Sequence, residues 1–170
     1  PLTKEGVQKL HAIKNSRADK TYLLLIASPA KLPAFVDMTT IDERIQKIMD
    51  TYWPGPLTIV FKAKQGLPKH LVASDGTIAL RCPQHEGLRK FLVSFDGLLS
   101  TSVNVSGQPP VLTADQIPVE ILNQVDCVVI DNHEAPRVTK PSTIIDVSQL
   151  GEIKVIREGV LSVNELGLSR

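Results

Sequence analysis

What most constrains this chain is an alternation of two hydrophobic periods. The apolar runs Tyr22–Ala27, Leu57–Phe61, Thr77–Arg81, Cys127–Ile130, Ser142–Val147 and Ile153–Ile156 have strand length, and Gly, Pro, Asp or Asn punctuate the chain between them. Segments with helical spacing lie among them. Thr3 is placed to cap one that carries Val7, Leu10 and Ile13, and a Thr40–Glu43 capping box opens another lined by Ile41, Ile45, Ile48 and Tyr52. Leu88, Phe91 and Leu92 mark a third, and Thr113 and Pro118 open two short ones, the second burying Ile121, Leu122 and Val125. A second box, Ser162 with Glu165, closes the chain. Helices alternating with strands predict an α/β fold, and 170 residues without repeats or linkers predict a single domain over 1–170. The unbroken apolar run at Tyr22–Ala27 predicts a strand covered on both faces.

Composition narrows the function classes. Hydrophobic residues are 42% of the chain, which excludes a disordered one. Aromatics are only 4%, so contact with nucleic acid would rest on charge and not on stacking. A net charge of +1 leaves no broad basic surface, and any anion site must be local. Cys82 and Cys127 stand on apolar stretches without metal-ligand spacing and read as buried thiols of a reducing compartment. No apolar run approaches the roughly 18 residues of a membrane span, so the expectation is a cytoplasmic protein without a membrane partner. The chain begins at Pro1, directly on a helical pattern, which points to a missing N-terminal segment.

The densest polar chemistry is the stretch from Ser100 to Pro110. Ser100, Thr101, Ser102, Asn104 and Ser106 follow an apolar lead-in, and Gly107 with two prolines ends the element. Small neutral donors and acceptors where a strand becomes a loop suit phosphate oxygens or a nucleotide. A Ser/Thr-rich turn, or a glycosylation sequon at Asn104 in a secreted protein, fits the same residues. Lys14, Arg17 and Lys20 recur every third residue: one basic helix face if the helix continues, a cationic loop over a polyphosphate if it ends near Asn15. Arg81 ends an apolar strand just before Pro83, where open α/β sheets bind ligands and a guanidinium suits a carboxylate or bicarbonate. Ser142 and Thr143 open one strand and Arg157 closes another, so a hydroxyl pair and an arginine could face one anion. His11, His70, His85 and His133 are scattered without triad or metal spacing, and no carboxylate stands out as a base. The residues favour catalysis by positioning and charge neutralisation.

Taken in order, the motifs resemble the YrdC-like family of threonylcarbamoyl-AMP synthases. Trp53-Pro54-Gly55-Pro56-Leu57-Thr58 is similar to its W-P-G-P-L-T segment, and Thr77 to His85 to its T-x-A-x-R-x-P-x-H strand. Ser100 to Pro109 resembles S-T-S-A-N-x-S-G-x-P with Val103 for Ala, Ser142 to Asp146 resembles S-T-V-V-D, and Ile156 to Gly159 the closing L-R-x-G. The family's T-V-Y-G-L segment is not in the chain, Ser16 stands at the Arg of its K-x-R with Arg17 one place on, and Leu25 stands where it has a threonine-site histidine.

The resemblance implies a twisted sheet of mixed parallel and antiparallel strands flanked by helices. It implies a nucleotidyltransferase that joins L-threonine, bicarbonate and ATP, with Mg2+ on the phosphates, into threonylcarbamoyl-AMP, and releases pyrophosphate. The product would pass to a threonylcarbamoyl transferase complex for tRNA modification, with direct binding of tRNA or double-stranded RNA as a further expectation. Lys14, Arg17 and Arg81 are implied as catalytic. Lys14, Lys20, Ser102, Asn104, Ser142 and Arg157 are implied for ATP, and Thr77, Arg81 and Ser100 for threonine and bicarbonate. A non-catalytic RNA- or nucleotide-binding paralogue and a carbamoyl-transfer module remain alternatives.

Overall fold

The computed structural model describes residues 2–16, 21–105, 107–109, 111, 113–129 and 140–168. Helix α1 (Lys4–Lys14) starts where Thr3 accepts the Gly6 amide and stops at Asn15, which takes the left-handed conformation. Strand β1 (Leu23–Leu25) follows. Helix α2 (Glu43–Tyr52) leads into β2 (Leu57–Lys62), β3 (Thr77–Arg81), helix α3 (Glu86–Leu92) and β4 (Leu98–Ser100). The short helix α4 (Val119–Leu122) precedes β5 (Thr143–Asp146) and β6 (Lys154–Arg157).

The strands form one six-stranded sheet in the order β4-β1-β3-β2-β5-β6. β1 runs parallel to β3 and β2 parallel to β5, while every other neighbouring pair is antiparallel, so the sheet is mixed. The C-terminal ends of β1, β3 and β6 therefore share one end of the sheet with the N-terminal ends of β4, β2 and β5. The core lies on one face. Leu24, Leu57, Ile59, Phe61, Leu80 and Ile145 pack there against Ile45, Ile48 and Met49 of α2 and against Trp53. A smaller cluster of Val7, Tyr22 and Leu71 seats α1. No helix among the described residues is long and apolar enough to cross a membrane.

Four expectations are corrected. In β1 only Leu24 is buried, while Leu23 and Leu25 are half-buried, because the sheet carries its core on one side. The cap of α2 is Asp42, whose carboxylate accepts the Ile45 amide at 2.9 Å; Thr40 sits in the preceding 3-10 turn and donates to Asp37 O, and Ile41 between them is extended. Asp42→Ala should therefore cost about 1 kcal/mol in urea unfolding. Cys127–Val129 is not a strand, Val129 is 89% exposed and the Cys127 thiol is exposed, since these residues join neither edge of the sheet; Ile130 lies outside the described residues. In α4 only Ile121 is buried, because one helical turn presents a single inward position. Cys82 is buried as expected, and burial pushes its thiol pKa up.

Candidate functional site

The segment after α2 positions the site. Trp53 is buried and its indole N–H donates to Leu57 O at 2.7 Å, which curls the chain over the two prolines. The folded segment then reaches both neighbours of β2. Gly55 N–H donates to Cys82 O at 2.9 Å, Gly55 O accepts Arg81 Nε at 2.9 Å, and Pro56 O accepts the Thr143 amide at 3.0 Å. A side chain at Gly55 would place its Cβ 2.2 Å from Tyr52 O, so only glycine fits this crossing.

Arg81 is half-buried at the end of β3, and burial lowers its pKa. Its Nε is held by Gly55. Among the described residues the two terminal guanidinium nitrogens make no hydrogen bond or ion pair. A partly desolvated cation without an acidic partner is costly unless a ligand supplies the charge.

Ser142 and Arg157 meet at the same end of the sheet. Arg157 donates from Nη2 (2.9 Å) and Nε (3.3 Å) to Ser142 O, and the Ser142 hydroxyl bonds that of buried Thr58 at 2.9 Å. Beside them Thr143, fully buried, accepts the amides of Gly159 and Leu161 (3.0 Å each) and donates to Leu161 O at 2.6 Å. Thr143→Val keeps the shape but orphans those groups. It should destabilise the protein by about 3 kcal/mol in urea unfolding, with the slope of the transition unchanged.

A second cluster follows the end of β4. Lys14 is 3% exposed, and its ammonium donates to Ser102 O at 2.6 Å and to both the backbone and side-chain oxygens of Asn104. The Ser102 hydroxyl donates to Asn104 Oδ1 at 2.6 Å, and Asn104 Nδ2 donates to Gln108 O. A buried cation thus fixes the hydroxyl- and amide-bearing loop.

The structure brings the expected residues together in two groups, Lys14 with Ser102 and Asn104, and Arg81 with Ser142 and Arg157 by way of Gly55 and Pro56. Thr77, Arg81 and Ser100 share the half-buried face of the sheet, as strand alternation and register require. Thr77 nonetheless begins β3 where Arg81 ends it, roughly 13 Å away, and its hydroxyl donates to Asp75 at 2.7 Å. Ser100 ends β4 and pairs with Leu23. Arg17 and Lys20 lie outside the described residues, as does most of the loop before Lys140. Thr143, expected to face an anion beside Ser142, is instead turned into the core with its hydroxyl taken by the backbone of Gly159 and Leu161. Thr58 and the Gly55 carbonyl are unforeseen, since nothing in their local sequence says which strand they will adjoin.

The class the fold defines is an α/β domain whose open sheet face carries an arginine without an acidic partner among the described residues, and whose polar loop is seated on a buried lysine. The comparisons specify it further. The family model for Sua5, YciO and YrdC proteins, described as "Telomere recombination", matches residues 1–159, and the chain belongs to that family. The threonylcarbamoyl-AMP synthase of Vibrio cholerae is 33% identical over 161 residues, 94% of this chain and 82% of its own. A Methanocaldococcus jannaschii protein provisionally given the same name is 34% identical over 165 residues, 97% of this chain and 75% of its own. Among solved structures, P. abyssi Sua5 complexed with L-threonine superposes with a TM-score of 0.83 at 27% identity over 97% of this chain. This chain spans about half the length of that one, 47%.

Proposed function

We propose that this chain is a threonylcarbamoyl-AMP synthase, a nucleotidyltransferase that makes the adenylate of N-carbamoylated threonine for tRNA modification. The observation that carries the reading is the half-buried guanidinium of Arg81, whose terminal nitrogens have no partner among the described residues, together with family membership. Threonine's amine takes up bicarbonate with loss of water to give a carbamate. A carbamate oxygen then attacks the α-phosphorus of ATP, the bond to the β-phosphate oxygen breaks, and pyrophosphate leaves.

In this reading Arg81 holds the carboxylate or carbamate, with Thr77 and Ser100 on the same sheet face. Lys14 sets a buried positive charge against Ser102 and Asn104 where the nucleotide lies, and Ser142 and Arg157 take phosphate oxygens from the other side. Arg17 and Lys20 add charge at the phosphates. Such residues stabilise charge that builds on the phosphates and do little proton transfer. Among the described residues no group of three or more His, Cys, Asp or Glu is placed to hold a metal ion, and Mg2+ enters as part of the nucleotide substrate. The reading also places the protein in the cytoplasm, upstream of a threonylcarbamoyl transferase complex, and in reach of tRNA.

The test is pyrophosphate release by the full-length protein with ATP, Mg2+ and bicarbonate, with and without L-threonine, and mass spectrometry for the adenylate. Threonine-dependent release is the expected result. ATP binding without release would overturn it in favour of a nucleotide- or RNA-binding relative, whose RNA affinity would fall steeply with salt.

A further inference from the structure

The sheet holds two parallel strand pairs that run in opposite directions, β1 with β3 and β2 with β5. Open α/β sheets bind ligands outside the carboxyl ends of their strands, and this sheet has such an end on either side. Arg81 stands at the first. At the second, beyond β2 and β5, lies a crevice of about 400 Å³ whose polar lining includes Asp37, Lys62, Gln65, Asp75, Thr77 and Ser148. Thr77 borders it, and Arg81 is the whole length of β3 away.

Ser148 points to an occupant. It is 8% exposed, yet its hydroxyl makes no hydrogen bond among the described residues. No fully enclosed side-chain polar atom among them lacks a partner, so this hydroxyl opens onto the crevice that Ser148 lines. Asp75 takes the Thr77 amide at 3.0 Å and the Thr77 hydroxyl at 2.7 Å on one oxygen, which leaves its second oxygen open among the described residues. Lys62, the cation of the lining, is already paired with Asp37 at 3.2 Å. Two carboxylates against one paired ammonium leave a surplus negative charge, which an anion would worsen. Among the described residues no group of three or more His, Cys, Asp or Glu is placed for a metal ion, so the charge calls for an organic cation.

We propose that this crevice binds a small organic ammonium ion, with the cationic nitrogen on Asp75 and a hydroxyl of the same ligand on Ser148. An ammonium only donates, and it meets the open carboxylate oxygen in a charge-assisted bond stronger than one between neutral groups. The Ser148 hydroxyl can donate or accept, so it suits a neutral polar group. The site stands apart from the proposed function, since it needs neither Arg81 nor a nucleotide. Ethanolamine is the simplest probe that carries both groups.

The experiment is an NMR titration of the full-length protein with ethanolamine, ethylene glycol and glycolate, which are alike in shape and differ in charge. The amides of Gly76, Thr77 and Ser148 report on the crevice, and so small a ligand binds in the millimolar range. Ethanolamine should bind at least about tenfold more tightly than either isostere. Asp75→Asn keeps a carbonyl oxygen for Thr77 and should weaken ethanolamine about tenfold. Ser148→Ala should weaken it about 2- to 10-fold and leave propylamine, the isostere without the hydroxyl, unchanged. Ethylene glycol or glycolate bound as tightly as ethanolamine overturns the proposal, as does Asp75→Asn without effect. So does the absence of any shift at the three amides up to about 50 mM ethanolamine.

Discussion

Arg81→Ala should raise the dissociation constant for L-threonine at least about 100-fold and abolish threonine-dependent pyrophosphate release. Truncating one partner of a desolvated, hydrogen-bonded charge pair costs about 2–5 kcal/mol, which spans that range. Stability should respond differently. The substitution loses the Nε bond to Gly55 O, but it also removes a cation that burial disfavours and that no acidic group offsets among the described residues. The net change in urea unfolding should stay within roughly 1 kcal/mol. Arg81→Lys should recover little, because one ammonium cannot hold the Gly55 carbonyl and also present a planar fork to a carboxylate. Lost binding with an unchanged unfolding midpoint would identify a ligand residue. A collapsed midpoint would make Arg81 a structural strut.

The largest loss of stability should follow Gly159→Ala. A methyl there would lie 2.1 Å from Pro141 O and 2.7 and 2.8 Å from the carbonyl carbon and oxygen of Ser142. These are backbone atoms and no rotamer relieves the contact. The chain would have to part at this crossing, breaking the hydrogen bonds that the Gly159 amide donates to the Thr143 hydroxyl and the Val160 amide donates to Pro141 O. We expect more than about 3 kcal/mol of destabilisation. In the proposed reading nucleotide affinity should fall as well, since Gly159 comes just after the end of β6, where Arg157 reaches Ser142. Gly66→Ala is the control: φ is +87° there but no atom lies within 4 Å, so only the left-handed backbone is penalised, by about 1 kcal/mol. Circular dichroism melts of the two variants would separate clash from conformation.

Features of this fold that are set by neighbouring residues were legible in the sequence. Thr3 caps α1 because its oxygen needs only the amide three residues on, and Trp53-Pro54-Gly55-Pro56 stops α2 by its own chemistry. Ser162 and Glu165 do exchange the reciprocal bonds of a capping box, although only turns follow them. Features that depend on what a segment meets in space were not legible. An unbroken apolar run reads as doubly covered, yet Leu23 and Leu25 look onto an open face. Thr40 and Asp42 both have capping chemistry, and the extended Ile41 between them decides for Asp42. Cys127 to Val129 has strand composition, but a strand exists only where an edge accepts it. The site divides in the same way. Arg81 stands out as a cation ending an apolar run, whereas its anchor, the Gly55 carbonyl, belongs to a backbone that any sequence carries.

The bonds of Lys14 join parts of the chain 88 and 90 residues apart. An isolated helix of 11 residues is marginal in water, so α1 depends on its docking through Val7 and Tyr22 and on that ammonium. Helix and loop then share a single opening equilibrium, in which neither can fray without releasing the other. Amide hydrogens in α1 and at Ser102 to Val105 should exchange at a common rate. A substitution at Val7, two turns from Lys14 on the same buried face of α1, should loosen that loop without touching it.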